Sequence, residues 1–345
     1  MEYLDIQNTL RREPRRWLVT GVAGFIGSNL LETLLNLDQT VVGLDNFETG
    51  YLRNIEDALA RARGGGRFRH IEGDIRDPST CRAATRDVDI VLHQAALGSV
   101  PRSILEPETF HRVNVDGFVN LALAARQNGV KRFVYASSSA VYGDHEALPK
   151  SEDHIGAPLS PYALTKHQNE QYADLLHRVY GLETVGLRYF NVYGRRQDPR
   201  STYAAVIPNW VHALLRGERC AIFGDGETTR DFCYIDDVVQ ANLLAALRTL
   251  SSERSVYNVG GGARTSLNDL FEFLRGSLAA RRPELADVTP EYQDFRPGDV
   301  RHSQADISAI CADLGFRPTH ALEKGLEETL DWYVTQLGGT HAIAV

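Results

Sequence analysis

No stretch of the 345-residue sequence approaches the roughly 18 consecutive apolar residues that a membrane-crossing helix requires. Residues 1–16 are polar and charged and lack the apolar core of an export signal, so a cytoplasmic protein with no membrane partner is expected. Cysteine is scarce. Cys81, Cys220, Cys233 and Cys311 lie far apart with no C-x-x-C pair, which reads as reduced, mostly buried thiols rather than a disulfide framework. The 11 histidines form no H-E-x-x-H or similar ligand spacing, and no metal site is expected. Positive charge is also in deficit. A formal net charge of -8 and a pI near 5.8 argue against nucleic acid as the main partner, which would call for a basic face. No internal repeat or low-complexity tract is evident.

What is present is a chain 43% hydrophobic, long enough to bury a large core in one big α/β unit or two domains. Short apolar runs at residues 16–20, 40–45, 68–74, 89–93, 132–136 and 185–190 read as strands. Helical patterns fall between most of them, at 28–37, 78–85, 109–127 and 161–180. Strands that alternate with helices imply a parallel sheet covered on both faces. The expected fold is therefore α/β, a doubly wound parallel sheet of the Rossmann type over residues 17–193. After residue 193 the strand-like pieces thin out to 220–223 and 256–259, and loops rich in Gly, Asp and Arg interrupt the helices. Residues 194–345 are expected to form a smaller mixed α/β lobe, interleaved with the first or separate from it. Residues 1–16 are an N-terminal extension, expected to add a helix at the sheet edge.

Gly21, Gly24 and Gly27 sit where the first strand turns into the first helix. Glycine lets the backbone turn tightly and approach a pyrophosphate, whose charge the helix N-terminus stabilises. The spacing is G-x-x-G-x-x-G rather than G-x-G-x-x-G, so placement between strand and helix carries the dinucleotide reading. Asp45 ends the second strand, eighteen residues past Gly27, where a carboxylate accepts bonds from both adenosine ribose hydroxyls. It would repel a 2′-phosphate, and neither Asn46 nor Phe47 supplies a cation, so NAD is favoured over NADP. Asp74-Ile75, closing the third strand, is placed for the adenine edge.

In Leu159-Ser-Pro-Tyr-Ala-Leu-Thr-Lys166, Ser160 reads as an N-cap and Pro161 as the first helical residue, with Gly181 as the stop. Tyr162 and Lys166, four apart, share one face of that helix. A phenol beside a fixed ammonium has its ionised form favoured, which lowers its pKa toward that of a useful base. Taken alone, the pair also suits an ordinary amphipathic helix.

These motifs occur in order with Gly73-Asp74-Ile75, His93-Gln-Ala-Ala96, Ser137-Ser-Ser-Ala-Val-Tyr-Gly143 and Arg188-Tyr-Phe-Asn-Val-Tyr-Gly194. The chain resembles, over about residues 17–332, the extended short-chain dehydrogenase/reductases that act on nucleotide sugars. Within that group it is most similar to bacterial UDP-N-acetylglucosamine 4-epimerases, through Leu97-Gly-Ser-Val-Pro-Arg-Ser103, Tyr203-Ala-Ala-Val-Ile-Pro208 and Gly298-Asp-Val-Arg-His-Ser303. The resemblance implies that Tyr162 takes the proton of the sugar 4-hydroxyl while hydride passes from C4 to NAD⁺. The 4-keto sugar then turns over, and hydride returns to its other face. Lys166 would bond the nicotinamide ribose and lower the Tyr162 pKa. Ser138 would bridge the 4-hydroxyl and the tyrosine, with Ser139 on the sugar.

By the same resemblance Phe25, Ile26, Asn46, Gly50, Gln94, Ala95 and Ala96 join the three glycines, Asp45, Asp74 and Ile75 around NAD. Ser99, Asn191, Ala205, Val206 and Asp299 border the UDP-sugar, and Arg230 and Arg296 clamp its diphosphate with guanidinium forks. Related dehydratases carry an Asp-Glu pair where this chain has Ser139 and Ala140, and related decarboxylases carry the glutamate, so simple epimerisation is favoured. Relatives restricted to UDP-glucose and UDP-galactose carry a tyrosine at the position of Ser303, beside the sugar's C2, so a serine implies room for an N-acetyl group. Two other readings stay open. One is epimerisation of the acidic UDP-N-acetylglucosaminuronate, its carboxylate held by Arg102 or another local cation. The other is an NAD-binding protein without catalysis. The helices at 109–127 and 161–180 match those that pair two subunits in the family, which implies a homodimer.

Overall fold

A computed structural model describes residues 2–199, 205–249, 254–295 and 300–338. Helix α1 (Tyr3–Arg12) leads into β1 (Arg16–Thr20), α2 (Phe25–Asn36), β2 (Thr40–Asp45), α3 (Leu52–Arg61) and β3 (Arg67–Glu72). Then come α4 (Pro78–Ala84), β4 (Ile90–His93), α5 (Val100–Leu105), α6 (Pro107–His111), α7 (Gly117–Gln127) and β5 (Arg132–Ser138). After α8 (Pro161–Tyr180) follow β6 (Thr184–Tyr189), β7 (Asn191–Tyr193), α9 (Val206–Leu215) and β8 (Ala221–Phe223). Next are β9 (Thr229–Arg230), β10 (Phe232–Tyr234), α10 (Ile235–Leu247), β11 (Val256–Val259) and β12 (Thr265–Ser266). The series closes with α11 (Leu267–Ala279), β13 (Glu291–Gln293), α12 (Ser308–Leu314) and α13 (Leu322–Gly338).

Seven parallel strands form the main sheet in the order β11-β6-β5-β4-β1-β2-β3. Every position of β6 is buried, as is all of β1 after its first residue, because helices cover both faces. Strand order reverses between β1 and β4, which opens a crevice at the carboxyl ends of these strands. The strand at 256–259, expected in the C-terminal lobe, is instead the edge of this sheet, paired with β6. Among the described residues, only short strand pairs, β10 with β7, β12 with β9 and β13 with β8, lie outside it. One apolar cluster runs from Ile6 and Trp17 through Leu34, Val134 and Tyr257 to Trp210, Phe271 and Leu330, so core and lobe are continuous.

Two local details place the site. The helix expected at 109–127 is α6 and α7 joined by a π-type turn at Arg112–Asp116. From that turn Asn114 accepts the Leu97 N–H at 2.8 Å and donates to Thr165 Oγ1 at 3.1 Å, fastening the loop after β4 to α8. Helix α1 rests on α10, over a face of the sheet rather than at its edge. Gln39, fully buried, anchors its end by donating to the Leu10 carbonyl at 2.9 Å while accepting from Trp17 Nε1 at 3.0 Å. No helix among the described residues is long and apolar enough to cross a membrane.

Candidate active site

A cavity of about 760 Å³ opens in the crevice. Gly21 and Gly24 line it from the β1–α2 turn, Phe25, Ile26 and Gly27 from the start of α2, Asp45 from the end of β2, Asn46 and Gly50 from the loop that follows, and Asp74 and Ile75 from the loop after β3. Gln94, Ala95, Ala96 and Ser99 follow β4, and Ala205 borders it from the far side. Gly21 and Gly27 admit no side chain. Gly21 has φ +68°, and a Cβ there would sit 2.8 Å from the Ala95 nitrogen; a Cβ on Gly27 would sit 2.1 Å from the Gly21 carbonyl oxygen. Helix α2 starts at Gly24 with no side-chain cap and no acid in its first turn. Its amide end is thus suited to an anion. These features fit a dinucleotide.

Asp45 is buried, and its two oxygens accept the N–H groups of Ala23 at 2.9 Å and Phe47 at 2.8 Å. Those bonds fix the carboxylate at the cavity wall and leave lone pairs on both oxygens. Asp74 is gripped by Arg76, 2.6 Å at the closest approach, and receives Asn46 Nδ2 at 2.8 Å. The Arg76 hydrogen bonds hold the Asp74 carboxyl below its usual value against the effect of burial.

Ser160 caps α8 by accepting the Ala163 N–H at 3.1 Å, and Gly181 ends it at φ 70°. At its first turn Tyr162 comes near Ser138, the last residue of β5, whose hydroxyl favours the ionised phenol, and meets Phe110, a cavity residue, edge to face with centroids 6.5 Å apart. Ser138 also accepts the Ala140 N–H at 3.1 Å, and Ser139 opens the short turn that follows. Lys166 Nζ lies 5.9 Å from the Tyr162 ring centroid and donates to the Ala136 carbonyl at 2.9 Å. The expectation that Lys166 lowers the Tyr162 pKa is corrected for the protein itself. Burial raises the phenol above its ordinary value, and the Ser138 hydroxyl, not Lys166, works against that rise. Burial likewise lowers the Lys166 ammonium to about 8, with Glu170 opposing the change.

Ser138, Ser139, Tyr162, Lys166, Asn191, Val206, Arg230 and Ser303 are not on the cavity's lining. Asn191, Arg230 and Ser303 gather instead around Asp231. Its carbonyl accepts the Asn191 N–H at 3.0 Å, and its carboxylate accepts those of Gly261 at 2.7 Å and Ala305 at 2.9 Å. The Ser303 N–H donates to the Thr229 carbonyl at 3.1 Å, beside Arg230, whose Nη1 reaches the Thr229 carbonyl at 3.0 Å. Val206 begins α9. Arg296 and Asp299 lie outside the described residues.

Sequence reasoning missed Glu48, Tyr51, Arg196, Gln197 and Asp198 on the cavity wall. Arg196 Nε bonds Asp57 at 2.7 Å, and the Tyr51 hydroxyl bonds Asp198 at 2.6 Å. Their neighbours are too distant in sequence to leave a local signal. Arg102, weighed above as a cation for an acidic sugar, forks onto Glu106 at 3.0 Å and approaches Glu48 at 3.7 Å. Asp236, His320 and Glu328 come close enough among the described residues to share an ion, although Arg195 already engages Asp236 at 2.8 Å.

The sheet order, the glycine turn and the Tyr-Lys helix define an extended short-chain dehydrogenase/reductase with an NAD site. The chain belongs to the NAD dependent epimerase/dehydratase family, whose profile matches residues 17–260. It is 38% identical over 320 residues to a UDP-glucose 4-epimerase of Mycolicibacterium smegmatis, covering 92% of this chain and 98% of that one. A UDP-N-acetylglucosamine 4-epimerase of Methanobrevibacter ruminantium, solved in complex with UDP-N-acetylmuramic acid, is 38% identical with a TM-score of 0.85 over 94% of this chain and 99% of its own. The Thermus thermophilus UDP-glucose 4-epimerase, solved with NAD, is 34% identical with a TM-score of 0.79 over 92% and 98%.

Proposed function

We propose that this NAD-dependent enzyme interconverts UDP-N-acetylglucosamine and UDP-N-acetylgalactosamine by inversion at C4, and takes UDP-glucose and UDP-galactose as well. When bound, NAD supplies a reversible hydride acceptor. The chain supplies the rest. Tyr162 takes and returns the 4-hydroxyl proton, Ser138 orients that proton path, and Lys166 would hold the nicotinamide ribose. Ser139, Ser99 and Asn191 contact the sugar and its pyrophosphate, Ala205 and Val206 border the uracil, and Arg230 with Arg296 and Asp299 holds the diphosphate side. The cytoplasmic location and a homodimer belong to the same proposal.

The observation that carries the substrate reading is Ser303. Its backbone is pinned at Thr229, next to Arg230, and its side chain is a single hydroxymethyl group. A serine at this position supports the reading that an acetamido group at C2 is accepted, where a tyrosine would crowd it. The acidic-sugar reading is weaker because Arg102 is already forked onto Glu106. The test is NMR of purified protein with UDP-N-acetylglucosamine, UDP-glucose and UDP-N-acetylglucosaminuronate. Formation of UDP-N-acetylgalactosamine is expected, and Ser303→Tyr should abolish it while sparing UDP-glucose. Conversion of the acidic sugar alone, or equal loss of both neutral activities in the variant, would overturn the reading.

A further inference from the structure

One turn beyond Lys166 on α8, Glu170 is buried between the sheet and the helix. Its Oε1 accepts the Ser137 hydroxyl at 2.5 Å and Arg188 Nε at 2.9 Å, and Oε2 accepts Arg188 Nη2 at 2.8 Å. Arg188 continues inward. Its Nη1 donates to the Tyr142 hydroxyl at 3.1 Å, and that hydroxyl donates to Asn258 Oδ1 at 2.6 Å. Asn258 then donates to the carbonyls of Lys150 at 2.8 Å and Asp306 at 3.0 Å, three residues beyond Ser303. A carboxylate held by a two-pronged guanidinium and a hydroxyl, with almost no solvent contact, is a fixed charge. Ser137 lies between Ala136, whose carbonyl accepts from Lys166, and Ser138, the β5 residue beside Tyr162.

We propose that Glu170, tied to Ser137 and Arg188, is a positioning residue that fixes the end of β5 where the Ala136 carbonyl receives Lys166, and that sets a buried anion one helical turn from that ammonium. The proposal rests on the epimerase reading for its consequence in catalysis, but not for its electrostatics. The groups facing Lys166 are Tyr162 and Glu170 on its own helix, His93 on β4, which burial keeps neutral by lowering it to about 3, and the Arg188 partner of Glu170 on β6. Glu170 is the anion among them that favours the ammonium. Replacing it with glutamine removes that anion and leaves Arg188 uncompensated, and both changes disfavour a second cation nearby.

The chain has four lysines, Lys131, Lys150, Lys166 and Lys324, so ¹³C-labelled lysine gives four side-chain signals whose shifts follow protonation. The Lys166 signal is assigned by its loss in Lys166→Arg. In Glu170→Gln its midpoint should fall by about one pH unit, with the other three unmoved. Glu170→Asp, which keeps the charge, should restore most of the midpoint. Glu170→Gln/Arg188→Met has no lone buried charge, so it guards against misfolding and should titrate between parent and single variant. On UDP-N-acetylglucosamine, the alkaline limb of kcat should move down by the same interval. An unchanged Lys166 midpoint in Glu170→Gln overturns the proposal. A shifted midpoint in Glu170→Gln, with a parent protein that converts no UDP-sugar, would leave it standing and sink the epimerase reading instead.

Discussion

At the scale of single residues, the placement of the glycines and Asp45 on the cavity wall, and of Tyr162 and Lys166 one turn apart on α8, was legible because each residue type was expected at a fixed place relative to a strand or helix end. The protonation state of the site was not. Burial, which sequence spacing does not report, dominates the shifts of Tyr162, Lys166 and His93. His93 carries a consequence for stability. Its buried ring bonds Thr20 Oγ1 at 2.7 Å, packed beside Phe118 and Phe133. The unfolded chain takes up its proton near pH 6.5, whereas the folded one does so only near 3. The folded pKa is depressed, so this contribution is intact above 6.5 and lost as pH falls toward 3. Between pH 7 and 5 the loss is about 2 kcal/mol. Urea unfolding at the two pH values should show a smaller acid penalty in His93→Gln than in the parent; an identical penalty would refute the assignment.

At the scale of elements, α8 could be anticipated end to end, since Ser160, Pro161 and Gly181 each act through local backbone geometry. The edge strand β11 could not be placed in the main sheet, because α9 and α10 separate it in sequence from its partner β6. The β1–α2 turn yields the sharpest prediction here. A Cβ on Gly27 meets backbone, the Gly21 carbonyl oxygen, at 2.1 Å, and backbone cannot rotate aside. Gly27→Ala should therefore purify folded but without NAD, as read by chromatography of nucleotide released on denaturation. Gly276, inside α11, is the counter-example. A Cβ there meets nothing within 4 Å, so Gly276→Ala should retain NAD and gain up to about 1 kcal/mol from helix propensity. Retention of full cofactor by Gly27→Ala would mean that the turn does not form the pyrophosphate cradle.

At the scale of the whole molecule, the question is what covers the outer face of α8. Its inner face packs on the sheet through Ala163, Ala173 and Leu176. The opposite face still carries Leu164, Leu175 and Val179, exposed by 47%, 44% and 57%, at helical spacing along one stripe. At the end of the helix Arg126 from α7 lies 4.2 Å over the Tyr180 ring, so α7 and α8 present a joint surface. An apolar stripe on a long helix, with a second helix alongside, suits a two-fold contact in which each copy contributes the same pair. Such a contact would brace the helix that carries Tyr162 and Lys166 from outside while Glu170 braces it from within. Leu175→Glu with Val179→Glu places two carboxylates on the stripe without touching the core. Sedimentation should then give a monomer where the parent gives a dimer, with circular dichroism unchanged and turnover reduced several-fold. A parent that sediments as a monomer, or a doubly charged variant that remains paired, would assign this face to some other role.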